Sequence, residues 1–267
     1  MRDDREVIRH DLGVDRPGIR IYPIADLHIG SRDVDEQRWH RWRQKLLADP
    51  NAYIVIAGDM MNNAIKSSVS DCYGETMRPS EQKKWLVSQL RDIRDRILCG
   101  VPGNHEARSQ REVDDDPLYD VFAKLDLEDV YRPVSAFLWI KVGYNAQEGP
   151  STRLGYRLQV THGTGRGALT GGAVNRTERA LRYCEGLDVY ISAHCHKALA
   201  TRPAVMTFDV AGGRGRCRIL DRDILNVVAS PWQSYAGYAM AKQLSPSSMA
   251  VNHIWLDGRE KHASATI

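Results

Sequence analysis

Five short apolar runs in this chain stop on residues that can bind a metal or move a proton. Residues 53–57 run into Gly58-Asp59, and residues 21–25 end in Asp26-Leu27-His28. Residues 97–101 lead through Pro102-Gly103 to Asn104-His105-Glu106. Residues 156–160 end in Thr161-His162-Gly163, and residues 189–193 end in His194-Cys195-His196. A run of this length rich in β-branched residues suits a buried strand of a parallel sheet. The carboxyl edge of such a sheet is where open α/β folds place their ligands. A single Gly-Asp marks no more than a turn or a helix cap, and a lone strand-end histidine is more often structural. Five such endings in one chain are hard to explain by packing.

Of nine histidines, His28, His105, His162, His194 and His196 occupy these ends, while His10, His40, His253 and His262 fall in polar or terminal contexts. Imidazole, carboxylate and amide oxygen together suit borderline divalent ions, with Mn first and Fe, Zn or Ni as options, rather than Ca or Mg. Alternation along a strand puts Asp26 and His28 on one side, and likewise His194 and His196. It turns Cys195 away from them, into packing. With Asp59, Asn104 and His162 the donors number seven, too many for one ion. Two ions sharing a bridging carboxylate account for them, and Asp59 is the natural bridge. Paired ions roughly 3.5–4 Å apart clamp the attacking and leaving oxygens of a phosphoryl displacement.

The elements that must position these residues follow from the pattern. Residues 19–25 form the first strand, and residues 1–16 read as a loose, charged arm or irregular edge. Between 34 and 48, Trp39, Trp42, Leu46 and Leu47 recur at helical spacing before Asp49-Pro50 closes the helix. Strand 53–57 completes a β-α-β unit with a right-handed crossover. The polar segment 60–79 is long enough, and close enough to Asp59, to belong to the site. A helix runs from Ser80 to about Arg96, and a charged loop spans 108–116, its Asp114-Asp115-Asp116 run a solvated surface. A short helix covers 118–125, strands cover 137–142 and 156–160, and a helix covers 173–184. Strands at 204–210, 224–228 and 251–256 form an antiparallel remainder. One domain over residues 1–267 is expected.

The blocks Asp26-x-His28, Gly58-Asp59, Gly103-Asn104-His105-Glu106, His162 and His194-x-His196 resemble those of the calcineurin-like metallophosphoesterases, in order and in strand-end placement. They span residues 26 to 196. Ala193 stands where that family usually has glycine. The wording of the 58–63 and 163–172 loops is similar to phage and prophage members. The resemblance implies an α/β fold, a four-layer α/β/β/α sandwich of two mixed sheets flanked by helices. It implies one ion on Asp26, His28, Asp59 and His196, and a second on Asp59, Asn104, His162 and His194. His105 would stay off the metals and protonate the leaving oxygen. Glu106 would orient His105 or its backbone from behind. A hydroxide bridging the ions would be the nucleophile.

Weaker features remain. Asn62, three residues after Asp59, is a candidate substrate contact, as is Arg166 in the glycine-rich 163–172 loop, where backbone N–H groups can face a phosphate. Arg214, Arg216 and Arg218 read as a solvated loop before a substrate rim, and Trp232, Tyr235 and Tyr238 as packing before a base-stacking platform.

Among 37 basic residues 28 are arginine, a bias that suits phosphate recognition but is more readily ascribed to compositional bias of the source genome. A net charge of +3 demands no nucleic-acid or membrane partner. Five cysteines without a Cys-x-x-Cys pair, and no signal-like start, read as reduced thiols in a cytoplasmic protein, host cytoplasm if phage-encoded. No apolar run approaches the ~20 residues of a membrane span. The expected activity is hydrolysis of a small phosphodiester of nucleotide type, such as a cyclic nucleotide. A DNA or RNA nuclease of the same superfamily is the alternative, and a catalytically dead scaffold the remote one, since no ligand is missing.

Overall fold

The computed structural model describes residues 5–68, 72–164, 170–209, 217–235, 240, 246 and 248–267. The described strands are β1 (Val7–Asp11), β2 (Gly18–Ile24), β3 (Ala52–Ala57), β4 (Ile97–Val101), β5 (Ser135–Tyr144), β6 (Arg153–Thr161), β7 (Val189–Ser192), β8 (Leu199–Thr201), β9 (Ala204–Asp209), β10 (Arg218–Asp223), β11 (Leu225–Val228), β12 (His253–Asp257) and β13 (Ala263–Thr266). The helices are α1 (Glu36–Ala48), α2 (Pro79–Leu90), α3 (Glu106–Val113), α4 (Pro117–Ala123) and α5 (Thr170–Ala180).

Two mixed sheets carry the architecture. One has the order β13-β12-β2-β3-β4, the other β1-β5-β6-β7-β11-β8. Residues such as Ile21, Val55 and Val101 of the first sheet join Leu138, Ile140, Val160, Ile191 and Val227 of the second in one buried cluster between them. Both sheets also have a covered outer face. Ile24, Ile54 and Ile56 meet Trp39, Trp42 and Leu46 of α1, Leu86 and Leu90 of α2 and Phe122 of α4. On the far side Ala173 of α5 packs with Leu199 and Val228. The result is the four-layer α/β/β/α sandwich.

Local sequence explains the elements. Every residue of β3 is buried, because both its faces are covered, which is why it reads as an unbroken apolar run. The carboxylate of Asp35 accepts from Arg38 N and starts α1, whose Trp39, Trp42 and Leu46 form the inward stripe. Trp39 packs edge-on against Trp232, ring centres 5.4 Å apart, so the latter is core and not a stacking platform. Pro79 opens α2, and the Glu81 carboxylate accepts from Arg78 N at 2.8 Å.

The structure departs from the sequence reading in four places. Residues 7–11 are not a loose arm: β1 pairs parallel with β5 at the sheet edge, and Ile8 alone turns into the inter-sheet core. Two apolar residues, Val7 and Ile8, of which only the second is buried, are too little signal for a strand. Residues 108–116 are not a loop: most belong to α3, whose buried residues are Glu106 and Ser109, so no apolar stripe announces it. Of the run that follows, Asp116 is no solvated residue alone; its carboxylate accepts from Tyr119 N and caps α4. The last strands do not form one antiparallel set. β9 pairs with β10 as a separate hairpin, β11 is parallel to β7 and antiparallel to β8, and β12 joins the other sheet antiparallel to β2.

Candidate metal centre

Because β2, β3 and β4 run parallel, as do β6 and β7, their carboxyl ends deliver the five blocks to one place. The backbone there is unusual. Asp26, His28, Asp59, His194 and His196 all have φ between 49° and 71°, a region L-residues seldom occupy. Five of the seven expected donors are thus held in strained turns, a feature that clusters at ligand sites. Two loops touch back to back: a Cβ on Gly58 would lie 2.4 Å from Gly103 N, and one on Gly103 would lie 2.1 Å from Asp59 Oδ1. Only glycine permits that approach. Cys195 turns the other way, against Ala173, Leu199 and Val228.

The donor atoms converge in three overlapping sets. Asp26, His28 and His196 form one, Asp59, His162 and His194 a second, and His28, Asp59 and His105 a third that links them through Asp59 and His28. His28 Nε2 faces His196 Nε2 at 3.2 Å, and these nitrogens lie 4.0 and 3.5 Å from Asp26 Oδ1. His162 Nε2 faces His194 Nδ1 at 3.2 Å and Asn104 Oδ1 at 3.1 Å. Asp59 Oδ2 stands between the sets, 3.8 Å from His28 Nε2 and 3.2 Å from His162 Nε2. All seven expected donors are therefore neighbours in space.

A pair of divalent ions fits this arrangement on three observations. Ring nitrogens point at one another among carboxylates, an arrangement that cations between them would satisfy. Asp26 Oδ1, which faces these ring nitrogens, is buried and has no hydrogen-bond partner. His162 Nδ1 donates to Ala57 O at 2.7 Å, which fixes the ring and makes Nε2 the inward atom, the one that would give up its proton to an ion.

The electrostatics follow from burial and crowding. Burial opposes ionisation of Asp59, but the imidazoles of His162, His105 and His28 outweigh it and hold the carboxyl well below its usual range. Burial, reinforced by His105, drives His28 well below the ordinary histidine value. His162 goes the other way, to about 10: burial lowers it, and the Asp59 carboxylate more than compensates. Glu106 is pushed up to about 7, first by burial and then by the charge on Asp59.

The resemblance implied that Glu106 orients His105 or its backbone; the carboxylate acts on backbone, that of Asp59, Met61 and Gly103. Its Oε2 accepts from Asp59 N at 2.9 Å and Gly103 N at 2.8 Å, and its Oε1 accepts from Met61 N at 3.0 Å. It clamps the backbone that presents the central carboxylate, while His105 N donates to Asp59 Oδ1 at 2.8 Å. The His105 ring is fixed elsewhere: Nδ1 donates to Asn62 O at 2.8 Å, leaving Nε2 3.8 Å from Asp59 Oδ2.

Of the weaker candidates, Asn62 turns its amide to Glu75 Oε1 at 2.6 Å and serves His105 through its carbonyl. Arg166 lies outside the described residues, as do Tyr238, Arg214 and Arg216. Three residues went unread in the sequence. Gln82, fully buried on α2, accepts from Asn63 N at 2.9 Å and donates to Met77 O at 2.8 Å. Asn63 in turn donates to His105 O and Ser109 Oγ, tying the 60–79 segment to α3. Arg108 donates from Nη2 to His105 Nε2 at 3.0 Å. The signal for Arg108 was its place three residues after His105, which matters only once a helix is known to begin there.

Comparisons with known proteins follow this geometry. A family model described as calcineurin-like phosphoesterase matches residues 19–198. Among curated proteins, none matches the sequence. Among solved structures, the chain is similar to a conserved uncharacterized protein, a predicted phosphoesterase, from Streptococcus pneumoniae TIGR4. Identity is 12%, coverage is 93% of this chain and 97% of that one, and the TM-score is 0.35. It is also similar to a metallophosphoesterase from Sphaerobacter thermophilus, at 12% identity, 89% and 83% coverage and a TM-score of 0.36.

Proposed function

We propose, from the premise that this chain belongs to the calcineurin-like phosphoesterase family, that it hydrolyses a small phosphodiester of nucleotide type, a cyclic nucleotide being the favoured case. Membership makes it a metal-dependent hydrolase of phosphate esters; the diester and the nucleotide are our reading. The observation that carries a two-ion mechanism is the position of Asp59, whose Oδ2 lies within 3.8 Å of ring nitrogens from both donor sets.

One ion would be held by Asp26, His28, Asp59 and His196, and the other by Asp59, Asn104, His162 and His194. Such ions, Mn in our reading, supply Lewis-acid polarisation of the phosphoryl group and acidify water. The chain's own residues do the rest. Glu106 fixes the Asp59 turn through three backbone N–H groups. Arg108 Nη2 donates to His105 Nε2 at 3.0 Å. Anchored through Nδ1 on Asn62 O, His105 presents Nε2, which accepts from Arg108 Nη2 and so takes up a proton from water before it can hand one to the leaving oxygen. A proton donor so placed contributes ~10²–10⁴-fold, most for poor leaving groups such as a sugar alkoxide. The near-balanced charge of +3 favours a small substrate over a polymer. Among the described residues no helix is long and apolar enough to cross a membrane.

The test is elemental analysis of the purified protein followed by a screen of mono-, cyclic and polymeric phosphate esters. We expect two ions per chain and turnover of diesters. Asp59→Asn should lose metal occupancy and nearly all turnover; two ions with near wild-type rate in that variant would remove Asp59 from the bridge. Tight nucleic-acid binding that falls ~10³–10⁵-fold between 50 and 200 mM salt would establish a nuclease instead.

A further inference from the structure

We propose that Arg108 is a substrate-binding residue of this site, whose guanidinium takes a non-bridging phosphoryl oxygen and in doing so releases His105. The inference rests on the phosphate-ester reading above and adds to it the residue that recognises the anion from the protein side.

Position comes first. Helix α3 starts at Glu106 with His105 as its N-cap, so Arg108 follows His105 by three residues and rises beside it on the first turn. Its Nη2 is 3.0 Å from His105 Nε2, which is itself 3.8 Å from Asp59 Oδ2. A phosphoryl group in contact with the His105 ring and the Asp59 cluster is then within reach of this guanidinium.

The partners of Arg108 make the second argument. The arginines Arg43, Arg94, Arg153, Arg157 and Arg222 each pair with a carboxylate within 4.0 Å. Among the described residues Arg108 forms no such pair. Its hydrogen bonds go to the neutral acceptors Asn62 O at 3.3 Å, Ser68 Oγ at 3.5 Å and His105 Nε2 at 3.0 Å. Two of the three are long. A half-buried cation with only neutral acceptors gains most from an anion that arrives, and its planar fork matches phosphoryl oxygens.

The exchange also solves a problem at His105. With the guanidinium on its Nε2, that nitrogen is engaged and faces no leaving group. When a phosphoryl oxygen takes Arg108 Nη2, one hydrogen bond replaces another, no covalent bond changes, and the lone pair of Nε2, until then held by the guanidinium, is exposed to the site. Substrate binding and release of the His105 nitrogen are one movement of one side chain.

The experiment uses the full chain loaded with metal and inorganic phosphate as the probe, titrated calorimetrically into wild type, Arg108→Ala, Arg108→Lys and, as a control on the same helix, the exposed Arg111→Ala. Arg108→Ala should keep both ions and its fold but bind phosphate about 10–100-fold more weakly, the loss expected for one charge-assisted hydrogen bond. Arg108→Lys should recover part of the affinity, and Arg111→Ala all of it. Turnover of bis(4-nitrophenyl) phosphate by Arg108→Ala should rise when guanidinium ion is added at millimolar concentration, an effect a merely structural role would not give. Unchanged phosphate affinity in Arg108→Ala, or its loss together with a metal, overturns the inference. A wild type that binds phosphate through Arg108 yet hydrolyses no phosphate ester leaves the inference standing and sinks the phosphoesterase reading instead.

Discussion

Replacing Glu106 with glutamine tests whether this carboxylate acts by holding backbone. The side chain is fully buried and accepts three backbone N–H groups, two on Oε2 and one on Oε1. Glutamine has nearly the same shape but only one acceptor oxygen. If that oxygen keeps Asp59 N and Gly103 N, the amide NH₂ turns its hydrogens toward Met61 N. One hydrogen bond to a charged acceptor is lost, ~1.5–3 kcal/mol, and a buried donor faces a donor, a further ~1–3 kcal/mol. Removing a charge that burial and Asp59 both disfavour offsets part of this. A net destabilisation of about 2–4 kcal/mol corresponds to a fall in Tm of roughly 4–16 °C for a chain of this size. The catalytic loss should be larger, because Met61 and Asn62 carry the anchor of His105, and a displacement of ~1 Å near reacting groups costs ~10²-fold. Thermal unfolding, metal content and kcat/KM on one diester read these together. A variant whose Tm stays within about 2 °C of wild type and whose kcat/KM stays within about twofold would refute the backbone-clamp argument.

Gly103→Ala should abolish metal binding without unfolding the chain, since its Cβ would lie 2.1 Å from Asp59 Oδ1 and 2.4 Å from Asp59 N; elemental analysis beside circular dichroism checks this. Asp188→Asn concerns stability alone. That carboxylate accepts from Arg157 N and Lys261 Nζ at 2.7 Å and from Arg222 Nη2 at 3.2 Å. Burial raises its pKa, but Lys261 and Arg157 bring it below the usual carboxylate value, while burial lowers Lys261 against the pull of Asp188; the benefit of the pair therefore appears on the carboxylate. A depressed carboxylate stabilises above its unfolded pKa, so the Tm gap to the variant, about 3–8 °C at pH 7, should close only as pH falls below 3.8. A gap that vanished already at pH 6 would contradict the assignment.

What was legible in the sequence was whatever left a local mark. The runs of β2, β3, β4, β6 and β7 end on donors, so the strand ends and the seven donors are legible in the sequence alone. The helix α1 announced itself through Trp39, Trp42 and Leu46 at one-turn spacing. What could not be read depended on partners distant in the chain. Gln82 sits on α2 among ordinary helix residues, and its role exists only because Asn63 and Met77 fold back onto it. The strand β1 shows one buried aliphatic residue among charges, and its pairing with β5 spans more than a hundred residues.

Helix α3 is the informative failure. Its sequence from Glu106 to Val113 has no apolar stripe, because the residues it buries are a carboxylate and a serine. A helix packed through polar groups is held by hydrogen bonds that form only when the site is assembled: Glu106 to the Asp59 turn, and Ser109 Oγ to Asn63. Periodicity therefore has nothing to detect, and a string of charges looks like a solvated loop. The same fact places an arginine at the site. Read as a loop, Arg108 is one of many surface cations; on the first turn of a helix whose cap is His105, it can only stand beside the imidazole. The segment least legible as structure is thus where a charge is held without a carboxylate partner among the described residues, and the physical reason is common to both: this helix is folded around the site rather than around the core.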